Sequence, residues 1–312
     1  MRSTSIPESP VGRDLTLAYR LSLAVAALMT FASAAGVLLG LSDGLYGPDP
    51  ARALGATEAE AGLLLPGLLG QDLFDLVVGV PLLLGAMWLA RRGSPIGLLP
   101  WPGMLFYALY WSVLYLVGAP FSVLFLLYVP LVILSAYATI ALVSSIDGEA
   151  LRERLAGAMP ARLVGGLLVV LALLTFGQDA TGALTTALAG ETPPDPAARP
   201  VWISDLALVV PATLAGGVLL GLRRPLGYVA GAGLLLSYGL TPVGLVFGMA
   251  LGAVLTGAQP DVATVVALLV FGLVSFAPLV FFFRGAKAGR GRAGPRDSGA
   301  NPAGGRTGGG TA

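Results

Sequence analysis

Four aspartates stand inside or at the edges of long apolar runs: Asp72, Asp75, Asp179 and Asp205, with Gln178 beside the third. The chain has no cysteine and no histidine, which excludes thiolate nucleophiles, disulfides, imidazole acid–base chemistry and His-ligated metals or haem together. Carboxylates, hydroxyls, amides and arginines are left to do any chemistry. An acid in a membrane is by default a counter-charge for a proton, a cation or a cationic solute. A structural reading competes with this one. Asp72 and Asp75, and likewise Ser204-Asp205, would cap the free amides at helix starts. Asp179 fits that reading less well, because it falls near the C-terminal end of its run. The helix dipole disfavours an anion there, so it calls for a partner such as Arg199 or a bound cation.

Tyr107, Trp111 and Tyr115 recur at four-residue spacing, and Phe121, Phe125 and Tyr128 stand in the next run. They would either line an aromatic cavity or pack helix on helix. No Walker loop, GxSxG elbow, HExxH pair or dinucleotide fingerprint occurs. The sequence therefore assigns no catalytic residue, no metal ligand and no cofactor.

These residues must be carried by membrane-crossing helices. Of 312 residues 56% are hydrophobic and only 11% charged, where an ordinary soluble domain carries roughly 25% charged residues. Backbone groups in lipid must be satisfied within helices, so the fold class is all-α, a polytopic transmembrane bundle. The apolar runs give about eight spans, starting near residues 15, 71, 96, 121, 163, 204, 226 and 262. A cleaved signal peptide is the alternative for the first run, but its apolar stretch continues to Leu41. The segment Leu63–Leu69 is apolar but too short to span, and reads as interfacial or re-entrant.

An internal echo organises the spans. Asp75-Leu-Val-Val-Gly-Val-Pro81 returns 130 positions later as Asp205-Leu-Ala-Leu-Val-Val-Pro211, and Pro95/Pro225, Gly97/Gly227, Gly103/Gly233 and Leu105/Leu235 keep the register. Each copy ends near an arginine pair, Arg91-Arg92 and Arg223-Arg224. The implied organisation is a leader (1–14), a first four-helix half (15–146), an amphipathic linker (147–162), a second four-helix half (163–283) and a basic tail (284–312). With both termini on one side, sixteen basic residues fall on that side and two, Arg52 and Arg199, on the other. The positive-inside rule then makes both termini cytoplasmic in the cell membrane, and four spans per half make the repeats parallel.

Arg91-Arg92-Gly93-Ser94, Gly118-Ala119-Pro120-Phe121, Val201-Trp202-Ile203-Ser204-Asp205 and Arg223-Arg224-Pro225-Leu226-Gly227 carry a resemblance to a family of uncharacterised integral membrane proteins of bacteria and archaea. That resemblance implies the topology and assigns no functional residue.

The functional expectation is a transporter or ligand-binding protein for a small cation or cationic solute, using an outward-facing acidic rim of Asp72, Asp75, Gln178, Asp179 and Asp205. A non-catalytic scaffold or partner subunit bound to another membrane protein is the alternative, and a lipid-modifying enzyme is third. The lipid bilayer is the obligatory partner. The basic tail would associate with anionic lipid, and it lacks the interleaved aromatics that nucleic-acid binding would use.

Overall fold

A computed structural model describes residues 14–42, 67–119, 121–155, 157–191, 193, 198–257, 259 and 261–291. The leader up to residue 13, most of the 42–70 connection and the tail beyond residue 291 lie outside the described residues, as do Leu63 to Pro66 of the short apolar segment. The described regular structure is helical, with no strand. Eight long helices carry it: α1 (Thr16–Ser42), α2 (Gly67–Arg91), α3 (Pro100–Gly118), α4 (Phe125–Ser145), α5 (Ala161–Ala189), α6 (Ala198–Gly221), α7 (Pro225–Thr256) and α8 (Val262–Lys287). A short helix, Gly148–Leu155, links α4 to α5 and buries Leu151 and Leu155.

Seven of the eight long helices are long and apolar enough to cross a membrane. The exception is α3, whose prolines, tyrosines and tryptophans dilute its apolar character. It is instead the most enclosed element, with Trp101, Tyr107, Tyr110, Trp111 and Tyr115 all buried.

Both α2 and α6 begin earlier than their first polar residues suggest. The apolar residues Leu68 and Leu69 extend α2 back to at least Gly67, and Pro200 to Ile203 lie within α6. Asp72, Asp75 and Asp205 are therefore internal to helices. Phe74 and Ser204, which precede the two acids, are both helical and make no side-chain cap. The capping reading of these aspartates is thereby overturned. The helix start that an aspartate does cap is that of α8, where Asp261 accepts from the amides of Ala263 and Thr264 at 3.2 and 3.0 Å.

Each acid opens one turn of π-helix, Asp75–Gly79 and Asp205–Val209. In each, the acid's carbonyl accepts from the amide five residues on, Val80 or Val210, and a proline follows at once. Pro81 and Pro211 have no N–H to continue the α-helical ladder, and a widened turn before them keeps the acid's carbonyl satisfied. Such π-bulges are frequent at functional sites.

Further local features recur at the same spacing of 130. Both helices end in the same amide-to-carbonyl pattern, Gly93 to Ala90 and Ser94 to Leu89 in one, Arg223 to Leu220 and Arg224 to Leu219 in the other. Gly93 and Arg223 both have positive φ, 70° and 58°. Close approaches recur as well. Gly70 of α2 meets Gly248 of α7, and Pro200 of α6 meets Gly118 of α3. Gly103 of α3 and Gly233 of α7 lie backbone to backbone, and a Cβ on Gly103 would stand 2.3 Å from the Gly233 oxygen.

The helices that precede α2 and α6 sit differently. The helix α1 packs along α4, whereas α5 packs along α6 and makes no comparable contact with α8 among the described residues. Glycines account for this. A Cβ on Gly165 would stand 2.5 Å from the Gly221 nitrogen, and one on Gly217 2.8 Å from the Gly165 oxygen, so α5 and α6 touch through their backbones. In α2 the residues at the corresponding positions are the larger Met87 and Arg91.

Candidate functional site

The acids fall into two clusters on either side of α3. In the first, Asp75 accepts hydrogen bonds from Gln71 Nε2 and Tyr107 Oη, both at 2.8 Å, and Gln71 Nε2 also lies 2.7 Å from Tyr107 Oη. Asp72 accepts from Tyr115 Oη at 3.0 Å, and the same hydroxyl lies 3.1 Å from the Leu68 carbonyl. All five side chains are buried. The residual space beside them, between α1, α2, α3 and α4, is only about 20 Å³. On this measure a single water needs about 10–15 Å³, so the space takes one water molecule and nothing larger. The chain's own donors satisfy the acids of the first cluster, while Gln71 Oε1 is buried without a hydrogen-bond partner.

The second cluster borders a cavity of about 280 Å³ enclosed by α3, α5, α6, α7 and α8. Asp205, half-buried on the π-turn of α6, faces the Tyr110 hydroxyl of α3 and the Asp179 carboxyl of α5. Asp179 is 3% exposed, and its Oδ2 has no hydrogen-bond partner. What faces Asp179 is thus a second carboxyl, not Arg199, and among the described residues no arginine or lysine lines the cavity. Gln178 lines it as well. Trp111 borders both the cavity and the small space beside Asp75, and its Nε1 is also buried and unpartnered. The rest of the wall combines Tyr238 and Phe271, rings 5.9 Å apart, with Thr175, Thr241 and several leucines. Tyr238 Oη and Thr175 Oγ1 lie 3.4 Å apart.

The aromatic stripe on α3 is divided between the clusters, with Tyr107 and Tyr115 serving the acids of α2 and Tyr110 serving Asp205. Of the three aromatics expected to oppose it from the next run, Tyr128 alone packs on it, 5.1 Å from Tyr115. Phe121 is 85% exposed and pairs with Phe125 instead.

Sequence reasoning did not single out Tyr238, Phe271 or Thr175. The usable signal was the shift of 130 itself. Moving the first cluster's donors along the register puts Val201 for Gln71, Ser237 for Tyr107 and Leu245 for Tyr115. Val201, Ser237 and Leu245 all line the cavity. The second site retains the acid on the π-turn and lacks the side chains that fill the first.

No family model, curated protein or solved structure matches the chain. The resemblance drawn from its short motifs therefore adds nothing to the site.

Proposed function

We propose that this multi-pass membrane protein binds a small organic cation at Asp179 and Asp205, as a transporter or a ligand-binding protein. One observation carries the reading. Two carboxyls from different helices meet at a cavity with no basic residue in its wall among the described residues, and one buried carboxyl oxygen there is unpartnered. Leaving such a group unsatisfied costs on the order of 1–3 kcal/mol or more, and a cationic guest would remove that cost. The faces of Tyr110, Trp111, Tyr238 and Phe271 would add cation–π attraction. Asp72 and Asp75, which already have donors, serve in this reading as the structural counterpart of the site.

The frame we infer is two parallel four-helix repeats with α3 counted as a span, both termini cytoplasmic in the cell membrane. The matched π-turns and glycine contacts support the repeat, and the distribution of basic residues supports the orientation. Arginines of the tail would rest on anionic lipid.

The test is a thermal-stability screen of purified protein with amines and inorganic cations, run beside Asp179→Asn and Asp205→Asn. A ligand that binds only the folded state raises the melting temperature by mass action. A cation that stabilises the wild type and neither variant supports the reading. If no cation acts and both variants are merely less stable, the scaffold reading takes its place.

A further inference from the structure

We infer that the guest is an amphipathic amine, a cation bearing N–H donors on an apolar body, and that it enters sideways from the lipid between α5 and α8. The inference rests on the cation site proposed above and goes on to specify its ligand and its route.

The first cluster shows which groups the second one lacks. Asp75 is satisfied by an N–H and an O–H at 2.8 Å; the register puts Val201, which has no side-chain donor, in place of the N–H group and the shorter Ser237 in place of Tyr107, and the Tyr110 hydroxyl faces Asp205 alone. A guest completing Asp179 and Asp205 in the same way brings N–H groups. A primary or secondary ammonium has them; a quaternary ammonium does not.

Both carboxyls of the cavity lie at one end of it. Asp179 is 17 residues beyond Arg162 and Asp205 is 18 before Arg223. Both acids thus lie about 26 Å from the arginine end, near the far boundary of a hydrocarbon layer of about 30 Å. Leu174 and Phe271 are 12 and 13 residues from Arg162 and Arg284, about 18–20 Å up, nearer the middle of the layer. Head at the boundary and body toward the middle is the orientation an amphipathic amine already has in a leaflet.

The same apolar wall opens outward. Leu174 is 61% and Leu245 44% exposed although both line the cavity. No residue of α8 from Val262 to Phe271 is buried. The helix α5 makes no comparable contact with α8 among the described residues, and Leu174 and Phe271 put the gap between them at hydrocarbon depth. A cavity of about 150 Å³ holds the six carbons of benzene, so 280 Å³ corresponds by the same ratio to about eleven heavy atoms.

The experiment measures binding to the full-length protein in lipid nanodiscs, as excess over empty nanodiscs. The probes are methylamine, butylamine, hexylamine, octylamine, octyltrimethylammonium and octanol. Affinity is expected to rise about fourfold per added methylene from butylamine to octylamine, to fall at least tenfold for the trimethyl analogue, and to be absent for octanol. Asp179→Asn should lose octylamine. Leu174→Trp, which narrows the wall below the acids, should lose octylamine and keep butylamine while melting like the wild type. Acid-dependent binding of methylamine with no gain from chain length, octylamine bound equally by Leu174→Trp, or equal binding of the trimethyl analogue would overturn this inference and leave the cation site standing. Octanol binding as well as octylamine, or no amine binding at all, would overturn both.

Discussion

Placing an alanine at Gly103 tests the contact on which the arrangement of α3 and α7 depends. The added Cβ would stand 2.3 Å from the Gly233 oxygen and 2.4 Å from its Cα. Ordinary contact begins near 3.4 Å, so the two helices must separate by about 1.1 Å (3.4 less 2.3 Å) if nothing else yields. Neither obstructing atom belongs to a side chain that can rotate away. Overpacking of this kind costs about 1–3 kcal/mol, and a gap of 0.5–1 Å along the remaining interface forfeits a quarter to a half of each dispersion contact it opens. Gly103→Ala and Gly233→Ala should therefore each destabilise the protein by about 2 kcal/mol, measured by reversible denaturant titration in mixed micelles. Because both are relieved by the same displacement, the double variant should cost less than the sum of the singles. Gly166→Ala and Gly177→Ala, where a new Cβ would meet nothing within 4 Å, serve as controls and should be neutral or gain up to about 1 kcal/mol from helix propensity. A neutral Gly103→Ala, or singles that add in full, would refute the argument that α3 and α7 meet backbone to backbone.

Three other outcomes can be checked. Tyr107→Phe removes one of the two donors to Asp75 and should cost about 1–2 kcal/mol by the same titration; Tyr137→Phe, on an exposed side chain, should cost nothing measurable. Asp261→Ala should speed amide exchange at Ala263 and Thr264. The cap's hydrogen bonds with Thr264 and Ala263 hold the Asp261 carboxyl below its ordinary value, so its contribution is present above the usual carboxylate pKa and lost as pH falls through the lowered one. The difference between wild type and variant should accordingly vanish in acid. Since the chain has no cysteine, Leu174→Cys offers a single thiol at the cavity mouth. A lipid-soluble maleimide should label it in membranes faster than a water-soluble one, and equal rates would mean that water fills the gap between α5 and α8.

How much of this was legible in the sequence depended on whether a feature is local or relational. The recurrence of Asp and Pro at a spacing of 130 marked the two places where the helices depart from α geometry, because a proline six residues after an acid constrains the same backbone bonds in both copies. It suggested helix starts, since an acid ahead of an apolar run usually caps. The helices instead begin earlier, and the missing proline N–H is absorbed by a π-turn. Span counting by apolar runs put α3 on a par with its neighbours. Its tyrosines and tryptophans, tolerable in an enclosed helix with partners for their polar tips, are what set it apart. Nothing in the stretch around Asp205 named Tyr110 or Tyr238, since both come from other helices, α3 and α7, which meet at Gly103 and Gly233.

The cavity was least legible, because it depends on residues far apart in the chain. Glycines at 165, 217 and 221 let α5 lie against α6, and the larger Met87 and Arg91 stand at the corresponding positions of α2. Tyrosines at 107 and 115, against Ser237 and Leu245, decide whether the space beside the acid is filled. On the duplicated reading proposed above, neither set of substitutions would suffice alone. Removing the tyrosines while α1 stayed on α4 would leave a closed void, and moving the helix while the tyrosines stayed would leave a cleft with no unsatisfied acid. Opening a site in the second set requires both changes together. A variant that restores bulk at one of these points, Gly217→Met, should therefore push α5 off α6. It should reduce octylamine binding even though residue 217 does not line the cavity, and unchanged binding would separate the seat of α5 from the shape of the site.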